Sequence, residues 1–177
     1  MSTIKEIVES VGFETLGEMN PAELTIHQEV RDMCASNQCG NYDASWSCPP
    51  ACGTVSEYQE KVVKYKHGLV FQTIAEMEDD FDFEAIEEGG KLHAERFNKM
   101  VDQLLETGAD VMPLSAGTCT RCKECTYPDN PCRFPEKVFP SMEACGLMVG
   151  EVCKAAGIAY YPGPQKLAFC SSVLHND

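Results

Sequence analysis

The chain has 177 residues, long enough to bury roughly 70% of its unfolded surface in one core without covalent staples. It carries 28 acidic against 14 basic residues, a formal charge of -14 with no local basic patch, which disfavours nucleic acid and anionic membrane surfaces as partners. Its 11 cysteines, an odd number, cannot all pair as disulfides, and no apolar stretch approaches the roughly 20 residues that span a bilayer.

Met1 to Phe13 predicts a short amphipathic helix, with Ile4, Ile7, Val8 and Val11 at helical spacing among Lys5, Glu6 and Glu9. It lacks the basic flank and apolar core of a signal peptide, so the expected location is the cytoplasm. In that reducing compartment clustered cysteines are more often metal ligands or redox thiols than disulfides.

Asn20 caps a second predicted helix with Pro21 at its first position, Glu23 completing a capping-box-like pattern, and Ile26, Val30, Met33 and Cys34 facing the core. Ser36 to Gly53 is a loop rich in Ser, Asn, Gly and Pro that holds Cys39, Cys48 and Cys52. Thr54 to Lys66 reads as a helix and Leu69 to Ala75 as a buried strand. The acidic stretch Glu76 to Glu88 is a solvated loop and helix start rather than a calcium loop, because the EF-hand spacing is absent. A long helix follows from Phe83 to Glu106, apolar at Phe97, Met100, Val101, Leu104 and Leu105, and ends near Gly108. Val111 to Ser115 predicts a strand, Ala116 to Pro140 a second cysteine-bearing loop, Ser141 to Ala156 a helix and Lys166 to Leu174 a last strand.

Strands alternating with helices predict an α/β fold, a small, mainly parallel sheet flanked by helices with right-handed crossovers. On that sheet both cysteine-rich metal-binding loops gather at one edge, where open α/β sheets place ligands. The expected organisation is one iron-sulfur domain over 1–177, with residues 1–53 as its helical and cysteine-loop N-terminal segment.

Cys119, Cys122, Cys125 and Cys132 form a C-x2-C-x2-C-x6-C run. Three thiolates two residues apart let one loop wrap a cuboidal cluster, each sulfur on a different iron, and a fourth from farther along completes the set. Structural zinc instead draws two C-x2-C knuckles from separated segments, so the spacing favours a [4Fe-4S] cluster with zinc as the alternative. Cys34, Cys39, Cys48 and Cys52 make a looser C-x4-C-x8-C-x3-C set, a candidate for a second cluster because a polar loop has little core in which to bury thiols. Arg121, Lys123 and Arg133 either tune the potential of the second motif or are ordinary solvated side chains. Trp46 and Tyr42 either shield the first set from water or are core aromatics. Cys145, Cys153 and Cys170 are expected in the core, and His27, His67, His93 and His175 show no ligand pattern.

Cys34, Cys39, Tyr42 and Trp46-Ser47-Cys48-Pro49-Pro50, with the Cys119 to Cys132 run, Pro131-Cys132-Arg133, Pro135 and Ser141-Met142-Glu143-Ala144, carry a resemblance. The chain resembles, over most of its length, the cysteine-rich family described as predicted metal-binding proteins, a domain of unknown function of mainly anaerobic bacteria and archaea. The resemblance implies metal binding as iron-sulfur clusters. It also implies that Cys34, Cys39 and Cys48 are the regular N-terminal cysteines and Cys52 is not, which would leave one iron open to water or substrate.

No dinucleotide fingerprint, Walker loop, nucleophile elbow or zinc-protease helix is present. The leading expectation is one-electron transfer to a redox partner with a basic surface. The alternatives are a reductase-type enzyme whose N-terminal cluster has a substrate-accessible iron, and a zinc-stabilised interaction module.

Overall fold

The computed structural model describes residues 3–177 and is built on a four-stranded sheet in the order β1-β2-β4-β3, with β1 Thr15–Met19, β2 His67–Glu76, β3 Val111–Leu114 and β4 Lys166–His175. Side chains alternate along β2. Leu69 and Phe71 pack with Ile4, Ile7 and Val8 of α1 (Ile4–Ser10) and with Phe97, Met100, Val101 and Leu104 of α4 (Phe83–Thr107). Val70 faces the other way, onto Tyr58 and Val62 of α3 (Val55–Val62) and Val152 and Cys153 of α5 (Val149–Ala155). Burial on both faces is why β2 reads as a continuous apolar run.

Every pairing in the sheet is antiparallel, which corrects the mainly parallel sheet expected from the sequence. The strand-helix-strand unit β2-α4-β3 exists and its strands point the same way, but β4 lies between them and runs against both. Alternation of helix and strand does not fix direction here, because the long cysteine-bearing connections leave room for the chain to turn back. Strand β1, absent from the sequence reading, pairs along the outer side of β2. Its Gly17 is required by close approach: a Cβ there would lie 2.4 Å from the Ala156 carbonyl oxygen. Pro113 is tolerated because β3 is an edge strand.

Local signals set the helix ends. Thr3 and Glu6 form a capping box on α1, and Thr54 and Glu57 form one on α3. The helix expected from Met1 begins at Ile4, Met1 and Ser2 lying outside the described residues. Asp82 caps α4 by accepting the Ala85 N–H at 3.1 Å, so the acidic stretch serves as a helix start. Gly108, in the left-handed region at φ 71°, ends that helix.

Two predicted helices break into pieces. The Asn20 segment is a 3-10 turn Pro21–Glu23, then α2 (Gln28–Asp32), then a second turn Met33–Ser36 that carries Cys34, while Met33 is 70% exposed instead of facing the core. The Ser141 segment is a 3-10 turn Glu143–Cys145 separated from α5 at Gly146, whose carbonyl accepts the His27 N–H at 2.7 Å. Pairing with residues 26 and 27 holds that backbone out of a helix.

Candidate metal centre

The two cysteine loops meet, although no pairing in the sheet is parallel. They interlock through their own backbones and side chains. The Ser47 hydroxyl accepts the Cys119 N–H at 2.9 Å, and the Cys48 thiol donates to the Thr118 hydroxyl at 3.4 Å. Trp46 Nε1 donates to the Thr126 hydroxyl and the Asn130 carbonyl, both at 3.2 Å, and its ring stands edge-on to Tyr127 at 4.9 Å. The Tyr127 hydroxyl donates to Asp43. Trp46 is therefore a clamp on the second loop, and Tyr42 is held to the first by its N–H on the Asn37 side chain.

All four thiols of the second motif, Cys119, Cys122, Cys125 and Cys132, line one cavity of about 240 Å³ that Ser45 and Trp46 of the first loop also bound. Burial pushes the Cys119 thiol up, with Cys132 and Cys122 adding to the rise and the Arg121 backbone N–H opposing it. At Cys125 burial acts in the same direction. It is overcome by hydrogen bonds from the backbone of Tyr127, Trp46 and Thr126 and from the Ser45 hydroxyl, which hold this thiol below its usual range. Donors from the first loop thus stabilise a thiolate of the second.

The N-terminal thiols lie within electrostatic reach of one another: Cys39 and Cys48 each raise Cys34, and Cys48 and Cys34 each raise Cys52. For both Cys34 and Cys52 burial is the main upward push and Arg31 the main counterweight. Arg31, absent from the sequence reading, spans the base of this loop and donates to the Ala144 carbonyl at 2.7 Å and the Gly53 carbonyl at 2.6 Å. The only signal for it was its place one helical turn before Cys34. Among the described residues no three His, Cys, Asp or Glu side chains converge on a single-ion site.

The basic residues of the second motif have structural engagements. Arg121 pairs with Asp102 of α4 at 2.9 Å and donates to the Asn98 carbonyl, Lys137 pairs with the same Asp102 at 3.0 Å, and Arg133 donates to the Glu124 carbonyl. Lys123 is exposed. Cys145, Cys153 and Cys170 are buried, and the last two touch at 3.8 Å between sulfurs, with Gln72 donating to Cys170 at 3.2 Å.

His93 is buried between the Thr73 hydroxyl at 2.9 Å and the Ser171 hydroxyl at 2.7 Å. His27 pairs with Glu151 at 2.8 Å, and His67 and His175 face each other across β2 and β4.

A larger cleft of about 780 Å³ opens between the two thiol sets, and Cys52 of the first and Cys132 of the second both lie on its wall. No sequence pattern marked it, because its lining comes from five separate stretches of chain.

The chain belongs to the family described as "Predicted metal-binding protein", whose profile matches residues 17–175. No curated protein matches the sequence. Solved structures with a similar backbone include an epoxyqueuosine reductase labelled with selenomethionine, at TM-score 0.44 and 11% identity over 98% of this chain and 44% of that one. An epoxyqueuosine reductase from Bacillus subtilis matches at TM-score 0.40 and 11% identity, and one bound to a tRNA stem loop at 0.37 and 12%, each with the same coverage. The chain thus spans less than half the length of these proteins, and a likeness this distant carries no weight on activity.

Proposed function

We propose that this metal-binding protein is an iron-sulfur protein that passes electrons singly, with Cys119, Cys122, Cys125 and Cys132 holding a [4Fe-4S] cluster. The observation that carries the reading is the cavity of about 240 Å³ lined by all four thiols of the run. The donor set is all sulfur, which suits iron-sulfur or zinc. Thiols spaced around a cavity suit a polynuclear group, in which each sulfur meets a different iron, better than one ion with every sulfur at about 2.3 Å. Such a cluster would supply a one-electron couple. The protein's part is to hold the thiols, to place the N–H donors of Tyr127, Trp46 and Thr126 on Cys125, and to limit water around them.

Cys34, Cys39, Cys48 and Cys52 are proposed to hold a second cluster. The interlocked loops support close communication between the two sets, since Cys48 and Cys119 flank the same Ser47-Thr118 contact. A formal charge of -14 favours a redox partner with a basic surface, and the cytoplasm is the proposed location. Among the described residues no helix is long and apolar enough to cross a membrane.

The cleft favours a second reading, a reductase-type enzyme, because Cys52 of one set and Cys132 of the other both line it. Cys52→Ser separates the two: an all-cysteine N-terminal cluster is lost or changes its spectrum, and one with an open iron is barely altered. The test of the main reading is anaerobic purification with iron, acid-labile sulfide and zinc quantified together, then electron paramagnetic resonance of the reduced protein. Stoichiometric iron and sulfide with a reduced-cluster signal is the expected result. A colourless, redox-silent protein with stoichiometric zinc would overturn it.

A further inference from the structure

We infer that the cleft between the two thiol sets is a binding site for a small organic anion with a flat apolar body, of the aryl carboxylate type. At about 780 Å³ it is of ligand size, and its walls are largely apolar and aromatic, with Trp46, Tyr58, Met112 and Phe139 among them. Aromatic walls favour a planar guest, which stacks at little cost in conformational freedom.

Charge decides the guest's polar end. Lys61 and Lys64 stand on this cleft, and among the described residues neither has a carboxylate within salt-bridge distance. The Lys61 ammonium instead lies 5.1 Å from the centroid of the Tyr58 ring. The one carboxylate on the cleft, Asp110, accepts the Tyr65 hydroxyl at 3.2 Å. On a chain with twice as many acids as bases, this cleft carries two lysines against one carboxylate, and its low-dielectric wall strengthens the hold of the ammonium groups on an anion. The guest's standing as a substrate, though not the site itself, rests on the reductase reading.

Trp46 is the only tryptophan and lies on the cleft, so its fluorescence reports occupancy, with titration calorimetry as the independent measurement. The probes are trans-cinnamate and its uncharged analogue cinnamamide. Cinnamate is expected to bind at least tenfold more tightly, and the double variant Lys61→Ala/Lys64→Ala to remove that preference while leaving cinnamamide unchanged. Lys91→Ala, on an exposed face of α4, is expected to change neither. Equal binding of the two probes, no binding of either, or an unchanged preference in the double variant would overturn the inference. Iron and sulfide are measured in the same samples. Cinnamate binding without iron keeps this site and removes the iron-sulfur reading; iron without cinnamate binding does the reverse.

Discussion

The buried hydroxyl of Ser47 accepts the backbone N–H of Cys119 at 2.9 Å, joining the first cysteine loop to the first thiol of the second. Ser47 also contacts the Ser45 and Thr118 hydroxyls, so one small side chain organises the junction of the two sets.

Ser47→Ala is therefore expected to do more than remove a polar atom from a loop. Leaving the Cys119 N–H unpartnered costs about 1–3 kcal/mol, or a fall in Tm of roughly 2–4 °C for each kcal/mol at this chain length. Thermal unfolding of the anaerobic protein checks the stability, and the iron-to-protein ratio after brief air exposure checks whether the second motif has loosened. A variant matching the parent in both would show the junction to be incidental.

Arg31 gives a second test. Its guanidinium satisfies two carbonyls from different segments, Ala144 and Gly53, and hydrogen bonds to a charged donor contribute about 1.5–3 kcal/mol. Arg31→Met is expected to destabilise by about that amount, and Arg31→Lys to recover only part, because one ammonium cannot reproduce the planar fork. Urea unfolding of the three proteins measures both.

His93 makes stability depend on pH. Burial, with Arg96 adding a smaller effect against the opposing Glu14, lowers its pKa from 6.5 to about 4. Between those values the unfolded chain takes up a proton that the folded protein refuses, so stability falls as pH drops from 6.5 toward 4. The loss attributable to this group reaches about 3 kcal/mol. The contrast between wild type and His93→Asn in urea unfolding across this range isolates it; parallel pH curves would disprove the assignment.

The cysteines should divide sharply by position. Cys122→Ser is expected to lose the iron and sulfide of the second motif with the far-ultraviolet dichroism retained. Cys170→Ala, at the buried contact with Cys153 and Gln72, should keep full metal content and lose about 1–2 kcal/mol of stability. Metal analysis of the two purified variants decides it.

Electron exchange with a basic redox protein should slow by roughly tenfold as salt rises from low to physiological ionic strength, because steering by net charge is screened. Stopped-flow measurement at several salt concentrations tests this, and a rate insensitive to salt would remove the steering argument.

Much of the local structure could be read from the chain. The β2 run, the α4 stripe of Phe97, Met100, Val101 and Leu104 and the Gly108 stop all follow from side-chain period and backbone chemistry that act within a few residues. Strand β1 escaped because Thr15–Met19 is short and carries Gly17 and Glu18. Its glycine makes sense only against Ala156, more than a hundred residues away. The break at Gly146 is of the same kind, set by His27.

Sequence alone singled out the Cys119 to Cys132 run as the candidate ligand set, since its thiols are close in the chain and their spacing is itself a geometric statement. Tertiary structure alone decided the direction of the sheet, because the antiparallel insertion of β4 between β2 and β3 depends on pairing between strands far apart in sequence. It also decided how the two sets meet. The contacts of Ser47, Trp46 and Thr118 that join them, and the lysine-bearing cleft between them, arise from surfaces that become neighbours only when two long loops fold against each other.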